Sequence, residues 1–306
     1  MQVFRSDTAE TVDLADEVRV KPTGLAAIYS GIKDFARRKP MAFMGAIVLI
    51  AAVLLAIFAD VIAPHNATDI GVGGRFMGPG AEGTFLGTDQ LGRDIYSRLI
   101  YGSRISMYVG IVSVLIGISL GTMIGIASAY VGGWTDILIQ RLVDALMGFP
   151  PIILALGLMA ALGASVNNVV IALVVILVPG ATRVIRSQAL SIKELDYTLA
   201  AKSIGASSTR IMLRHMLPNV AATYIVLITL TLGFAIVVEA SLSFLGVGIP
   251  PDIATWGSML ELGREHIDKQ GWMVVFPGFV IALIVFSVNF LGDGLRDVMD
   301  PRLRGR

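Results

Sequence analysis

The chain has 306 residues, 55% of them hydrophobic and only 15% charged, with a formal net charge of +1. Soluble domains carry about 25% charged residues, so this composition, with a mean hydropathy of +0.76, excludes a disordered chain and argues against a nucleic-acid binder, which needs a clustered basic excess. With no cysteine there is no disulfide framework, zinc–thiolate site or cysteine nucleophile.

Residues 1–40 are polar, carry both signs of charge and read as a cytoplasmic tail. They do not read as a secretory signal, because the apolar segment behind them starts too late, is too long and has no small-residue cleavage site. A membrane-crossing helix needs about 20 consecutive apolar residues. Uncharged runs cover 41–59, 105–135, 145–182, 215–238 and 270–292. The third is too long for one crossing and is divided at the polar stretch 163–168. The result is an all-α membrane protein with six predicted transmembrane helices, near 41–62, 104–130, 137–162, 168–186, 220–244 and 271–292. An external loop spans 63–103, five of the helices form a core domain over 104–292, and a second cytoplasmic tail covers 293–306. With both termini inside, 18 of the 24 Lys and Arg face the cytoplasm and six (Arg75, Arg93, Arg98, Arg104, Arg264 and Lys269) face outward. That asymmetry predicts N-in/C-in topology, with Arg37-Arg38-Lys39 as the clearest marker.

The external loop holds Leu86-Gly87-Thr88-Asp89-Gln90-Leu91-Gly92-Arg93-Asp94. Thr88 or Asp89 is predicted to cap a helix in which Asp94 and Arg98 pair at i, i+4. In the second span Ser113, Gly117, Gly121, Gly125 and Ala129 recur every four residues. Such a ridge lets another helix approach closely in lipid, within this chain or on a partner chain. Gly117-Ile118-Ser119-Leu120-Gly121 formally matches the hydrolase elbow, but a mid-membrane helix is the wrong context. Arg141 and Asp144 are predicted to form a packing ion pair, and Pro150-Pro151 and Pro179-Gly180 to bend the third and fourth spans.

The cytoplasmic loop 187–219 is the most informative polar segment. Ile192 to Ser203 reads as a short amphipathic helix with Ile192, Leu195 and Leu199 on one side. Gly205 is placed to cap it, Ser207 to start a second helix, and Pro218 to bend the chain at the fifth span. Ala200 and Ala201 would let another surface approach the backbone. The residues alone leave two readings, a rigid helix-turn-helix that docks a partner or an ordinary interfacial loop. Glu239 lies about 28 Å along the fifth span, near its outer end. It is a candidate gate residue with Arg98, a partner for Arg98 or Arg104, or a packing residue; a charge at the bilayer centre would cost about 2.5–3.5 kcal/mol.

The 187–219 segment resembles the EAA loop of the membrane subunits of ATP-binding cassette (ABC) importers. There a short helix, a glycine and a second helix ending in proline sit in a groove of the ATPase subunit. Ala200, Ala201, Gly205 and Pro218 match that pattern; Leu199 replaces its leading glutamate, and Asp196 supplies a charge three positions earlier. Residues 86–94 with Ser97-Arg98, 239–246 (EASLSFLG) and 291–297 (LGDGLRD) with Asp300-Pro301 are similar to the dipeptide, oligopeptide and nickel permease family, and within it to the C-type subunit. The resemblance implies a type I importer permease fold. It also implies a homologous permease partner, two ABC ATPase subunits, an external solute-binding protein and alternating access in a bacterial inner membrane. It implies no cofactor and no catalytic residue, and the solute stays open among peptides, nickel chelates, glutathione and other small molecules. No Gly-Lys dipeptide occurs, so there is no P-loop, and His65, His215 and His266 show no metal-site spacing. The rival readings are an ion-coupled secondary transporter, which needs ionisable groups at the midplane, and an intramembrane hydrolase built on Ser119.

Overall fold

The computed structural model describes residues 25–299 apart from Glu82 and Lys269; the features read at 1–24, Lys269 and Asp300-Pro301 lie outside the described residues. Of the described residues, those from Leu25 to Pro40 belong to one unit and those from Met41 to a second. In the first, helix α1 (Leu25–Arg38) ends on Arg37 and Arg38, cations at the negative end of the helix dipole.

Helix α2 (Pro40–Ile57) is apolar all round, lies in the second unit from Met41 on, and has its last predicted turn broken off at Phe58 as α3 (Ala59–Ile62). The loop that follows has no strand among the described residues beyond an isolated bridge between Thr88 and Asp94. Helix α4 (Ile95–Val131) begins well before the predicted limit of 104. Its cap is Asp94, not Thr88 or Asp89: the carboxylate accepts from the Ser97 amide at 2.9 Å and the Ser97 hydroxyl at 2.6 Å. The predicted third span is a broken pair, α5 (Gly133–Met147) and α6 (Pro151–Leu162), bent by 91°. Pro150 is extended and cannot continue α5, and Pro151 starts α6 where its missing N–H is harmless. Ser165 caps α7 (Val166–Lys193), which runs through Pro179 without ending.

Two short helices, α8 (Asp196–Ser203) and α9 (Ser208–Ile211), form the polar loop. A wide π-helical turn (Met212–Met216) joins α9 to α10 (Leu217–Phe244). Helix α11 (Trp256–Arg264) precedes α12 (Trp272–Met299). Among the described residues five helices are long and apolar enough to cross a membrane, and up to six if the bent pair counts as one span.

Helices α4 and α7 form the centre, with α10 and α12 beside them. The glycine ridge of α4 faces α7. A Cβ on Gly117 would sit 3.0 Å from the Leu177 Cβ, one on Gly121 2.6 Å from the Ala181 Cβ, and one on Gly125 2.7 Å from the Thr182 carbonyl. Of the two partners the sequence leaves open for this ridge, the contact lies within the chain. Three apolar clusters run along the bundle. The first, at the end where α4 starts (the cap end), holds Ile95, Leu99 and Trp256. The middle one holds Val114, Leu173 and Leu177. The last, where α8 and α9 sit (the loop end), holds Ile126, Ile185, Ile211 and Met216.

Candidate functional site

At the loop end, the helix predicted from Ile192 to Ser203 is two pieces. Ile192 lies in the last turn of α7, and Leu195 is the extended residue before α8. The Thr198 hydroxyl reaches back to the Ile192 carbonyl at 3.0 Å, which also accepts from the Leu195 amide at 3.2 Å, and the two bonds hold the corner. The corner reverses the expected burial. Thr198 and Ala201 are the buried residues of α8, whereas Leu195, Tyr197, Leu199 and Ile204 are exposed, Ile204 by 85%. Of the alanine pair only Ala200 is on the surface; Ala201 packs with Ile192, Ile211 and Met216. Asp196 occupies the first turn of α8, where a carboxylate complements the helix dipole.

Gly205 takes φ +81°, a left-handed conformation that costs a residue with a Cβ about 1–2 kcal/mol. Its amide donates to the Lys202 carbonyl at 3.0 Å and the Ala206 amide to the Ala201 carbonyl at 3.0 Å, a Schellman turn. Ser207 then caps α9 by accepting from the Arg210 amide. Pro218 falls in the first turn of α10 and does not break it. The preceding π turn absorbs the carbonyl clash that a proline makes in a regular helix.

Polar clamps that the sequence did not single out hold this end. The Arg186 guanidinium donates twice to Asp136, at 2.6 and 2.5 Å, joining α5 to α7. Ser128 of α4 donates to the same carboxylate, and the Lys193 ammonium donates to the Ala129 carbonyl at 3.2 Å. Asp144 pairs with Arg183 of α7 in place of the predicted Arg141. No local spacing announces the two Asp–Arg pairs, whose members lie 39 and 50 residues apart in sequence.

At the cap end, Arg98 is 1% exposed. It donates to the carbonyls of Ala67 at 2.9 Å and Pro251 at 3.3 Å, and its Nε lies 3.9 Å from Asp89. Asp89 also accepts from the Arg93 side chain at 2.6 Å and from the amides of Leu91 and Arg93. Arg98 therefore bolts two loops to α4, and the predicted Asp94–Arg98 side-chain pair is replaced by the Asp94 cap. Arg104 donates to the Ala56 and Ile57 carbonyls at the end of α2 and pairs with Asp60 at 3.1 Å. Hydrogen bonding from Arg104, helped by Tyr101, holds the Asp60 carboxyl below the usual carboxylate range.

Glu239 is wholly buried. One carboxylate oxygen accepts from the Ser243 hydroxyl at 3.1 Å, and the other has no partner among the described residues. It pairs with neither Arg98 nor Arg104, because those guanidinium groups are held by backbone carbonyls and by Asp89 and Asp60. The element that buries it is α11, which the sequence reading missed. Thr255 and Ser258 cap each other's amides, the Trp256 amide donates to Ser106 at 3.2 Å, and the Trp256 indole donates to the Leu99 carbonyl at 3.1 Å. The capping-box pattern expects Glu or Gln where Ser258 stands. Ser119 sits in mid-helix with its hydroxyl 2.9 Å from that of Tyr224, not on a strand–turn–helix elbow.

Polytopic apolar helices around a glycine-ridged centre, with a capped helical pair exposed at one end, define a multi-pass membrane transport subunit. The chain belongs to the family of binding-protein-dependent transport system inner membrane components, whose profile matches residues 117–305; the N-terminal transmembrane domain of oligopeptide transport permease C matches residues 36–79. It is 42% identical, over 85% of its length and 88% of the relative's, to a putative peptide transport system permease protein of Brucella suis. To the dipeptide transport system permease DppC of Alkalihalophilus pseudofirmus it is 40% identical, over 88% of each chain. To the glutathione transport system permease GsiD of Escherichia coli it is 40% identical, over 88% of this chain and 89% of that one. A chain of the MetNI methionine ABC transporter in an inward-facing conformation superposes with a TM-score of 0.54 at 16% identity, covering 66% of this chain and 96% of that one. That likeness shows the fold, the type I importer permease fold. The chain is an ABC importer permease subunit of the C-type in the peptide permease group.

Proposed function

We propose that this subunit carries peptides or similar small solutes inward, pairing with a homologous permease, two ABC ATPase subunits and an extracytoplasmic solute-binding protein. The reading rests above all on the surface-exposed α8–α9 pair, where Leu199, Ala200 and Ile204 leave an apolar face uncovered by this chain. In the N-in/C-in arrangement that the cation asymmetry supports, this face meets an ATPase in the cytoplasm. ATPase closure moves α8 and α9, the Gly205 turn transmits the push without bending, and the helices above reopen toward the binding protein. Leu199, an apolar residue where the motif carries glutamate, makes the contact by burial and leaves the carboxylate to Asp196. Glu239 and Arg98 act as fixed points of the outer end rather than as a gate pair.

The test is uptake into proteoliposomes holding the full complex. Import of a labelled dipeptide should require both ATP and the binding protein. Import that survives ATP removal and collapses with an ionophore would establish the ion-coupled reading instead.

A further inference from the structure

Helix α1 carries an apolar stripe. Leu25, Ile28, Tyr29, Ile32, Phe35 and Ala36 recur at i, i+3, i+4, i+7, i+10 and i+11, which places these positions within about 120° of arc at 3.6 residues per turn. The opposite arc holds Ser30, Lys33, Asp34, Arg37 and Arg38 with three small residues. Among the described residues α1 is the only helix lying wholly in its unit. Toward its C-terminal end Ile32 is 52% exposed, and Phe35 and Ala36 are half-buried. An isolated helix of 14 residues is marginal in water, the more so with Gly31 in its middle. Such a helix is stabilised by whatever surface takes up its stripe.

Chain connectivity and charge both point to lipid as that surface. The uncharged run that opens the first span starts at Met41, three residues past Arg38. Backbone geometry therefore keeps the Cα atoms of Arg38 and Met41 within about 11 Å of each other. The headgroup layer on either side of the hydrocarbon is about 5–8 Å thick, so α1 ends at that layer or within a few ångström of it. Between positions 30 and 40, Lys33, Arg37, Arg38 and Lys39 stand against a single carboxylate, Asp34. Long cationic side chains beside an apolar stripe lay their stems along the acyl boundary and their heads among phosphates. Charge complementarity then selects an anionic surface.

We propose that α1 is an interfacial helix, its stripe at the acyl boundary of the leaflet where the first span enters and its cations on anionic phospholipid headgroups. The segment before the first span is thereby tied to the membrane surface, and the lipid charge sets how firmly. In the N-in arrangement this is the cytoplasmic leaflet. The proposal does not depend on the peptide-import reading.

The test uses the full complex in vesicles of phosphatidylethanolamine and phosphatidylglycerol. Because the chain has no cysteine, one introduced cysteine gives one spin label on this subunit. Ile32→Cys and Phe35→Cys report the stripe, and their neighbours Gly31→Cys and Asp34→Cys the opposite arc; a Cβ on Gly31 meets nothing within 4 Å. The ratio of collisions with oxygen, which concentrates in lipid, to collisions with a water-soluble nickel chelate should be several-fold higher at 32 and 35 than at 31 and 34. In vesicles of phosphatidylcholine alone, chelate access at 32 and 35 should rise several-fold. Arg37→Gln with Arg38→Gln should produce the same rise in the anionic vesicles, with membrane yield at the wild-type level. Equal ratios at all four positions would put α1 in water and overturn the proposal. Labels at 32 and 35 shielded from both reagents would mean that protein covers the stripe, which overturns it too. Immersion indifferent to both the lipid charge and the arginine changes would overturn the anionic surface as the partner.

Discussion

At the cap end Asp89, Arg93, Asp94 and Arg98 are all buried, and each is held by atoms of this chain. At the loop end the order is inverted. There the ion pairs Asp136–Arg186 and Asp144–Arg183 are partly solvent-exposed, and Leu195, Leu199 and Ile204 stand exposed on and beside α8. A buried charge set is tolerated only when every member has its partner, because desolvation otherwise exceeds the Coulomb gain. An exposed apolar set on a rigid scaffold is what a partner surface covers. One end is thus finished within the chain, and the other leaves an apolar face that this chain does not cover.

That contrast can be broken from either side. Arg98→Ala should have the largest effect on the fold, about 3–5 kcal/mol, because it removes the bolt between two loops and strips Asp89 of a neighbouring charge. The check is thermal unfolding in detergent, and Asp89→Asn added to it should cost less than the sum of the two single changes. Deleting Leu213 should convert the π turn to a regular helix and turn α8 and α9 by about 100° relative to α10. Binding-protein-stimulated uptake should fall at least tenfold while the spans still insert, as read by uptake beside membrane yield. Gly121→Val should cost about 1–3 kcal/mol by overpacking against Ala181. Gly157→Ala in α6, where a Cβ meets nothing within 4 Å, should be neutral or slightly stabilising, and the two melting temperatures decide it.

The loop end should respond differently. Ala200→Arg should leave stability within about 0.5 kcal/mol yet cut ATP-driven uptake about tenfold. Ala201→Arg should lower the unfolding temperature as well, because that side chain points into the cluster with Ile211 and Met216. Equal melting curves for the two would erase the distinction drawn between the alanines. The smallest effect belongs to Asp60→Asn. The folded carboxyl titrates below its unfolded value, so its contribution is present above the unfolded value and is lost as pH falls through the folded one. The difference in melting temperature between variant and wild type should be small at neutral pH and close as the pH is lowered toward 3.

Much of the architecture was readable from residue pattern. Uncharged runs located the long helices, the four-residue glycine spacing marked the close-packed ridge of α4, and Gly205 and Ser207 punctuated the loop. These signals are local, set by backbone conformation and by the length of apolar chain a bilayer demands. The corner at Glu194–Leu195 was not readable. It is held by the Leu195 amide and the Thr198 hydroxyl meeting on the Ile192 carbonyl, and it separates Leu195 and Leu199, both on the surface, from the buried Ile192.

Charge partners were the weakest part of the sequence reading. Asp144 chose Arg183 over Arg141 three residues away, and Arg98 chose two backbone carbonyls and Asp89 over Glu239. The sequence by itself determined an all-helical membrane subunit with a capped pair of short helices in its polar loop, because apolar run length and glycine and serine punctuation act through neighbouring residues. Only the tertiary structure decided the break between α5 and α6, the burial of Glu239 under α11, and which polar groups meet. A guanidinium or hydroxyl inside a bundle takes whichever acceptor packing brings within about 3 Å, and packing is a property of the whole chain.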